Sequence, residues 1–152
     1  MTMPTAPATP SELPPPPPTT RLRTVARLLL AGAMIFAGLS HLFWGRQEFQ
    51  AQVPTSVPMD PDGVVMASGG VEIMLGAGLA LLRRDRVFVG RLLAAFFVAV
   101  FPGNVAQYLN RRDGFGLDSD VKRLVRLLFQ PVLIAWALWS TGVPRTAAKS
   151  RR

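Results

Sequence analysis

The sequence has no cysteine, one histidine, one tyrosine and only nine acidic residues. Without thiols the chain cannot form disulfides, ligate zinc or an iron–sulfur cluster through sulfur, or use a thiolate as a nucleophile. A single imidazole cannot build a multi-histidine metal site, so no metal site is expected. The patterns of a phosphate-binding loop, a dinucleotide fingerprint, a zinc protease and a nucleophile elbow are all missing. Ser40 and Ser68 lie near His41 and Glu72 in sequence. On a helix, however, neighbours such as Ser40 and His41 project about 100° apart, which defeats a local nucleophile–base pair. These absences point away from an enzyme acting on its own. They assign no catalytic residue, and no cofactor is evident.

What the sequence does have is apolar length. Of its 152 residues 49% are hydrophobic, and the mean hydropathy is +0.29 despite a polar start. Residues 1–20 include five consecutive prolines, Pro14 to Pro18, and too little apolar surface to form a core, so they read as a disordered tail. Residues 145–152 form a basic tail. Between them, residues 21–144 carry four apolar blocks: Leu28–Trp44, Gly63–Leu82, Leu92–Leu109 and Leu127–Pro144. Each approaches the ~20 residues that cross ~30 Å of hydrocarbon as a helix. A soluble bundle would show a polar face on every helix, and these blocks show isolated polar residues instead. The first block begins too far from the start to be the apolar region of a secretory signal. The expected fold is all-α: a transmembrane four-helix bundle with helices at about 24–44, 63–82, 87–109 and 121–142.

The charge pattern sets an orientation. The net charge of +8 and a pI near 11.6 would suit a nucleic-acid binder. Here, though, the bases flank apolar blocks, which suits a lipid bilayer as partner and excludes nucleic acid. Eleven bases precede the first block, separate the second from the third, or follow the fourth, against six in the other two loops. Both termini are therefore expected on the cytoplasmic side. The segment Gly45–Asp62, with Pro54, Pro58 and Pro61, reads as a non-helical loop lying across the outer mouth of the bundle. Asp120 is the expected N-cap of the fourth helix. Lys122, Arg123 and Arg126 are expected to snorkel to the outer headgroups.

Four polar residues interrupt the blocks, one in each: His41, Glu72, Asn104 and Gln130. Alternating helix direction puts all four in the outer half of the bilayer. Helical spacing sets Glu72 on a small-residue face with Gly69 and Gly76, and His41 on one with Gly38 and Gly45, as close helix packing requires. Asn104 aligns with Gln107, Tyr108 and Arg111, and Gln130 with Arg126 and Arg123. Arg126, Tyr108 and Ser68 are expected behind the four. A charge near a helix centre costs roughly 2.5–3.5 kcal/mol on insertion scales, so Glu72 must be neutral, paired or wetted. His41 is its first candidate partner and Arg126 its second. Two readings stay open: a polar pocket that binds a ligand or handles protons, and hydrogen bonds that merely lock the helices together. Pro102 and Pro131 are expected to bend their helices in the same layer. Trp136 and Trp139 read as core or belt aromatics.

The runs GLSHLFW at Gly38–Trp44, VPTSVPMDP at Val53–Pro61, SGGVEIMLGAGLALL at Ser68–Leu82 and FPGNVAQYL at Phe101–Leu109 together resemble the DoxX-like family of small bacterial membrane proteins. Leu42 departs from that pattern, which usually has an aromatic directly after the histidine. The resemblance covers roughly residues 25–141. It implies four transmembrane helices in the bacterial cytoplasmic (inner) membrane, with His41, Glu72, Pro102 and Asn104 as characteristic positions. It also implies association with an oxidoreductase or a quinone-linked complex, hence a redox partner protein and a quinone ligand. Two alternatives stand beside this: a small-molecule transporter or carrier, which would call for a homo-oligomer, and a structural membrane interaction protein.

Overall fold

The computed structural model describes residues 18–114 and 116–143. The proline-rich start and the basic end expected at 145–152 lie outside the described residues, save for 18–20. The described residues form five helices and no strand: α1 (Arg21–Leu42), α2 (Arg46–Gln50), α3 (Pro61–Leu81), α4 (Arg86–Leu109) and α5 (Asp120–Thr141). The protein is all-α, and α1, α3, α4 and α5 are each long and apolar enough to cross a membrane.

Local chemistry fixes the ends. The Thr20 hydroxyl accepts from the Arg23 amide at 3.2 Å, so α1 starts before its apolar run. The Asp60 carboxylate accepts from the Gly63 amide at 2.9 Å, with Pro61 in the first turn of α3. For α5 the cap is Ser119, whose hydroxyl accepts from the Lys122 amide at 3.4 Å. Asp120 is the first helical residue, not the cap expected of it; there its carboxylate bonds Arg123 at 2.8 Å. α5 stops at Gly142, whose φ of 101° is left-handed and suits a residue without Cβ. Both α4 and α5 run unbroken through Pro102 and Pro131.

The four long helices pack as two close pairs. α1 crosses α3 on the small-residue faces: a Cβ on Gly38 would stand 2.5 Å from the Gly69 carbonyl oxygen, and one on Gly76 would stand 2.8 Å from that of Ala31. α4 meets α5 at Gly90, where an added Cβ would stand 2.7 Å from the Thr141 Cβ. The pairs join around Leu30, Ala31, Met34, Leu79, Val89, Leu93, Phe97 and Ala137, a core near one end of the bundle. Outward residues such as Leu29, Phe36, Met74, Leu128 and Val132 stay exposed, as lipid-facing residues must.

The segment after α1 is not entirely loop. α2 forms one short turn of helix in the stretch read as too proline-rich for any. Its prolines begin only at Pro54, so nothing blocks helical bonds over 46–50. The His41 ring stacks on Phe49 (centroids 3.3 Å apart, planes at 18°), and Arg46 forms an ion pair with Asp62 of α3. That pairing holds the Arg46 guanidinium above its ordinary pKa.

Candidate functional site

Beside the core, whose Leu30, Met34 and Phe97 also border the space, the two helix pairs stand apart. Between them lies a cavity of about 610 Å³, within the range of small-molecule sites. Its walls are mostly apolar, from Leu30, Met34, Val71, Phe96 and Val100 among others. His41, Glu72, Asn104 and Gln130 all line it, with Arg126 and Ser68. Tyr108 does not reach it and is half-buried elsewhere. The exposed wall residues Ala33, Ala67, Ala99 and Pro102 belong to helices, so the cavity opens sideways between helices.

One wall is acidic and imidazole-bearing. The His41 Nδ1 lies 2.8 Å from the Ala37 carbonyl oxygen and 3.2 Å from Glu72 Oε2. A carbonyl can only accept, so a bond there places the proton on Nδ1 and leaves Nε2 as the basic nitrogen. Glu72 Oε2 is shut off from solvent and receives no hydrogen bond. His41 and Glu72 are brought face to face by Gly69, where an added Cβ would stand 2.7 Å from the His41 Cβ.

The other wall is a chain of donors. The Arg126 guanidinium donates to Gln52 Oε1 at 2.8 Å and to Asn104 Oδ1 at 3.2 Å. The Asn104 amide donates to Gln130 Oε1 at 3.2 Å, and the Gln130 amide to the Phe97 carbonyl at 2.6 Å. Four of these groups thus link α4, α5 and the segment after α2. Arg126 lies within electrostatic reach of Glu72 across the cavity. A cation with oriented amides faces a carboxyl with an imidazole, so a polar head between them can be hydrogen-bonded from one side and exchange a proton with the other.

Two expectations about bases are corrected. Arg126 does not snorkel outward but turns into the cavity, because Asn104 and Gln52 accept from it there as water would, with the Glu72 carboxyl within electrostatic reach. Arg123 is only 5% exposed and bonds Asp113 at 2.5 Å and Asp120 at 2.8 Å. Lys122 stays exposed and pairs with Asp118 at 2.7 Å.

Sequence reasoning missed Phe49, Gln52 and Val53 as cavity residues. The signal was weak: Phe49 and Val53 are the large apolar residues of a mostly polar stretch, but Val53 lies past the end of α2, so helical spacing does not place it. Gln52 is held close by Gly103, where any Cβ would stand 2.6 Å from the Gln52 carbonyl oxygen. Among the described residues no group of three or more His, Asp or Glu is placed to hold a metal ion.

No curated protein and no solved structure matched the chain. The family described as "Domain of unknown function (DUF8561)" matches residues 30–141, from the middle of α1 to the last residue of α5, and so takes in every residue of the cavity wall. With most of its length inside that match, this chain belongs to the DUF8561 family.

Proposed function

We propose that this protein is a multi-pass protein of the bacterial cytoplasmic membrane, with both termini on the cytoplasmic side, that holds a lipid-soluble ligand by its polar head. The carrying observation is the cavity itself: apolar walls, a side opening between membrane-length helices, and seven polar side chains converging within it. A ligand dissolved in hydrocarbon can enter from the side, bury its apolar body and place its head between Arg126 and Glu72. A quinone has that shape and chemistry. Its carbonyls would accept from Arg126 and the nearby amides, and His41 and Glu72 would pass on the two protons that accompany its two-electron reduction to quinol by a partner. The chain has no thiol to pass electrons, so it serves an oxidoreductase partner as a membrane subunit. The resemblance of His41, Glu72, Pro102 and Asn104 to the DoxX-like pattern supports the same reading.

The test uses the full chain in lipid nanodiscs and a short-tailed ubiquinone analogue, read by native mass spectrometry and calorimetry. One quinone per chain is expected, lost when Ala67→Trp and Ala99→Trp fill the mouth and weakened about tenfold by Glu72→Gln. Absence of binding, or binding indifferent to all three changes, overturns the reading. Solute flux in proteoliposomes that Glu72→Gln abolishes would replace it with the carrier reading.

A further inference from the structure

The cavity opens on two opposite sides of the bundle. α1 borders α3 and α5, and α4 borders the same two helices, so the α1–α5 and α3–α4 seams lie across from each other. α1 and α3 pack too closely at Gly38, Gly69 and Gly76 to leave a gap, so an opening beside either one faces its other neighbour. Ala67 of α3 lines the cavity and is exposed. It lies eleven residues, about three turns, before Gly78, where an added Cβ would stand 3.2 Å from Val89 of α4. Ala67 therefore looks toward α4. Ala33 of α1 also lines the cavity and is exposed. It follows Ala26 by seven residues, about two turns, and the Ala26 carbonyl accepts from Trp136 of α5 at 3.0 Å. Ala33 therefore looks toward α5, where Leu133 lines the other rim.

The two mouths differ in depth and chemistry. Ala67 lies two residues from Gly69, which packs on His41, and the exposed Pro102 of α4 lies two residues from Asn104. The α3–α4 mouth is thus level with the polar walls. Ala33 lies eight residues before His41, about 12 Å along the axis at 1.5 Å per residue. His41 is in the last turn of α1, and Ala33 is near its middle. The cavity residues around Ala33 are apolar: Leu30, Ala37 and Leu133. One mouth opens at the depth of a ligand's polar head, and the other opens deeper in the hydrocarbon.

We propose that the α1–α5 seam at Ala33 passes the ligand's apolar chain, so that the cavity takes a long-chained lipid whose tail stays in the bilayer. This rests on the reading of the cavity as the site of a lipid-soluble ligand, and it adds the route and the chain. The head enters through the seam first and stops between Arg126 and Glu72. The chain behind it lies between Ala33 and Leu133 and runs on into lipid. A cavity of about 610 Å³ encloses a head and a short chain, and a longer chain must leave it. Lipid is as apolar as the seam, so a long chain gains little affinity there. What the seam decides is admission, and Ala33 is the position that sets it, because a larger side chain would close the gap.

The test loads nanodiscs with equal amounts of a ubiquinone bearing a single isoprenoid unit and one bearing a long polyisoprenoid chain, and releases the full chain for native mass spectrometry. The unaltered protein should retain both to a similar degree. Ala33→Trp should cut retention of the long-chained quinone about tenfold and spare the short one, whose binding also reports that the variant has folded. Leu133→Trp, narrowing the same gap from α5, should do likewise. Gly32→Trp puts the same indole where an added Cβ meets nothing within 4 Å and should change neither. Loss of both quinones together in the two gap variants, or loss of neither, would overturn the chain's route and leave the cavity reading standing. Retention of neither quinone by the unaltered protein would overturn the cavity reading, and this inference with it.

Discussion

Gly69 and Gly70 are adjacent on α3 and chemically identical, yet they face different surroundings. A Cβ on Gly69 would lie 2.7 Å from the His41 Cβ and 2.9 Å from the Gly38 carbonyl oxygen, whereas one on Gly70 would meet nothing within 4 Å. Carbon atoms in contact prefer about 3.5–4.0 Å, so Gly69→Ala must push α1 and α3 apart by roughly 1 Å, and backbone offers little give. Both substitutions gain about 0.8–1 kcal/mol of helix propensity. Overpacking costs about 1–3 kcal/mol and falls on Gly69 alone. Gly70→Ala should therefore be neutral or stabilising, and Gly69→Ala should sit about 1–3 kcal/mol below it. On a chain of this size that difference is roughly 3–10 °C in melting temperature, measured by intrinsic fluorescence in detergent. The same shift would draw His41 from Glu72, so Gly69→Ala should also alter the His41 ring chemical shifts while Gly70→Ala leaves them in place. A Gly69→Ala protein as stable as the Gly70→Ala protein would refute the close crossing of α1 and α3, and the approach of His41 to Glu72 with it.

Three more outcomes can be checked. Asn104→Leu leaves the Arg126 Nε donor and the Gln130 acceptor short of a partner in a buried setting, so a loss of about 1–2 kcal/mol is expected in a thermal melt, and a double-mutant cycle with Gln130→Leu should return a coupling near 0.6 kcal/mol. Arg123→Gln should destabilise by about 1–2 kcal/mol, below the 3–5 of a fully buried pair because Asp113 and Asp120 are exposed; no change would mean that Arg123 is not held between them. The hydrogen bond from Lys122 holds the Asp118 carboxyl below its ordinary pKa. A depressed folded value means that its contribution is present above the unfolded value near 3.9 and is lost as pH falls through the folded one. Melting temperatures of the wild type and of Asp118→Asn should therefore differ by a small, salt-sensitive amount at pH 7 and converge only in strong acid; a difference that grew on acidification would contradict the pairing.

What could be read in advance, and what could not, divides by the choices open to each residue. Glu72 sits in the middle of an apolar helix, where neither water nor headgroup can serve it, so it had to find a partner within the bundle. Spacing and helix direction put His41 first and Arg126 second as that partner; the His41 Nδ1 lies 3.2 Å away, and Arg126 is within electrostatic reach. The glycines Gly38, Gly69 and Gly76 were legible for a similar reason, since a repeat of small residues in a lipid-facing helix has few uses besides close packing. Arg123, Arg126 and Arg27 had more freedom. Each lies near a helix end, where headgroups and water would satisfy a guanidinium as well as protein does, and sequence alone does not choose among them. Their partners come from elsewhere in the chain: Asp113 for Arg123, Gln52 for Arg126, and the Leu79 carbonyl for Arg27. α2 was hidden on similar grounds, since five residues cannot hold a helix by propensity. It forms because Phe49 has the His41 ring to rest on and Arg46 has Asp62 to pair with. The cavity depends on both kinds of residue: its acidic wall follows from groups that had no alternative, and its cationic wall from groups that did. Changes at Glu72 should therefore be felt as loss of fit within the membrane. Changes at Arg126 should be felt first as a side chain released to the headgroups, with the cavity left open and more apolar.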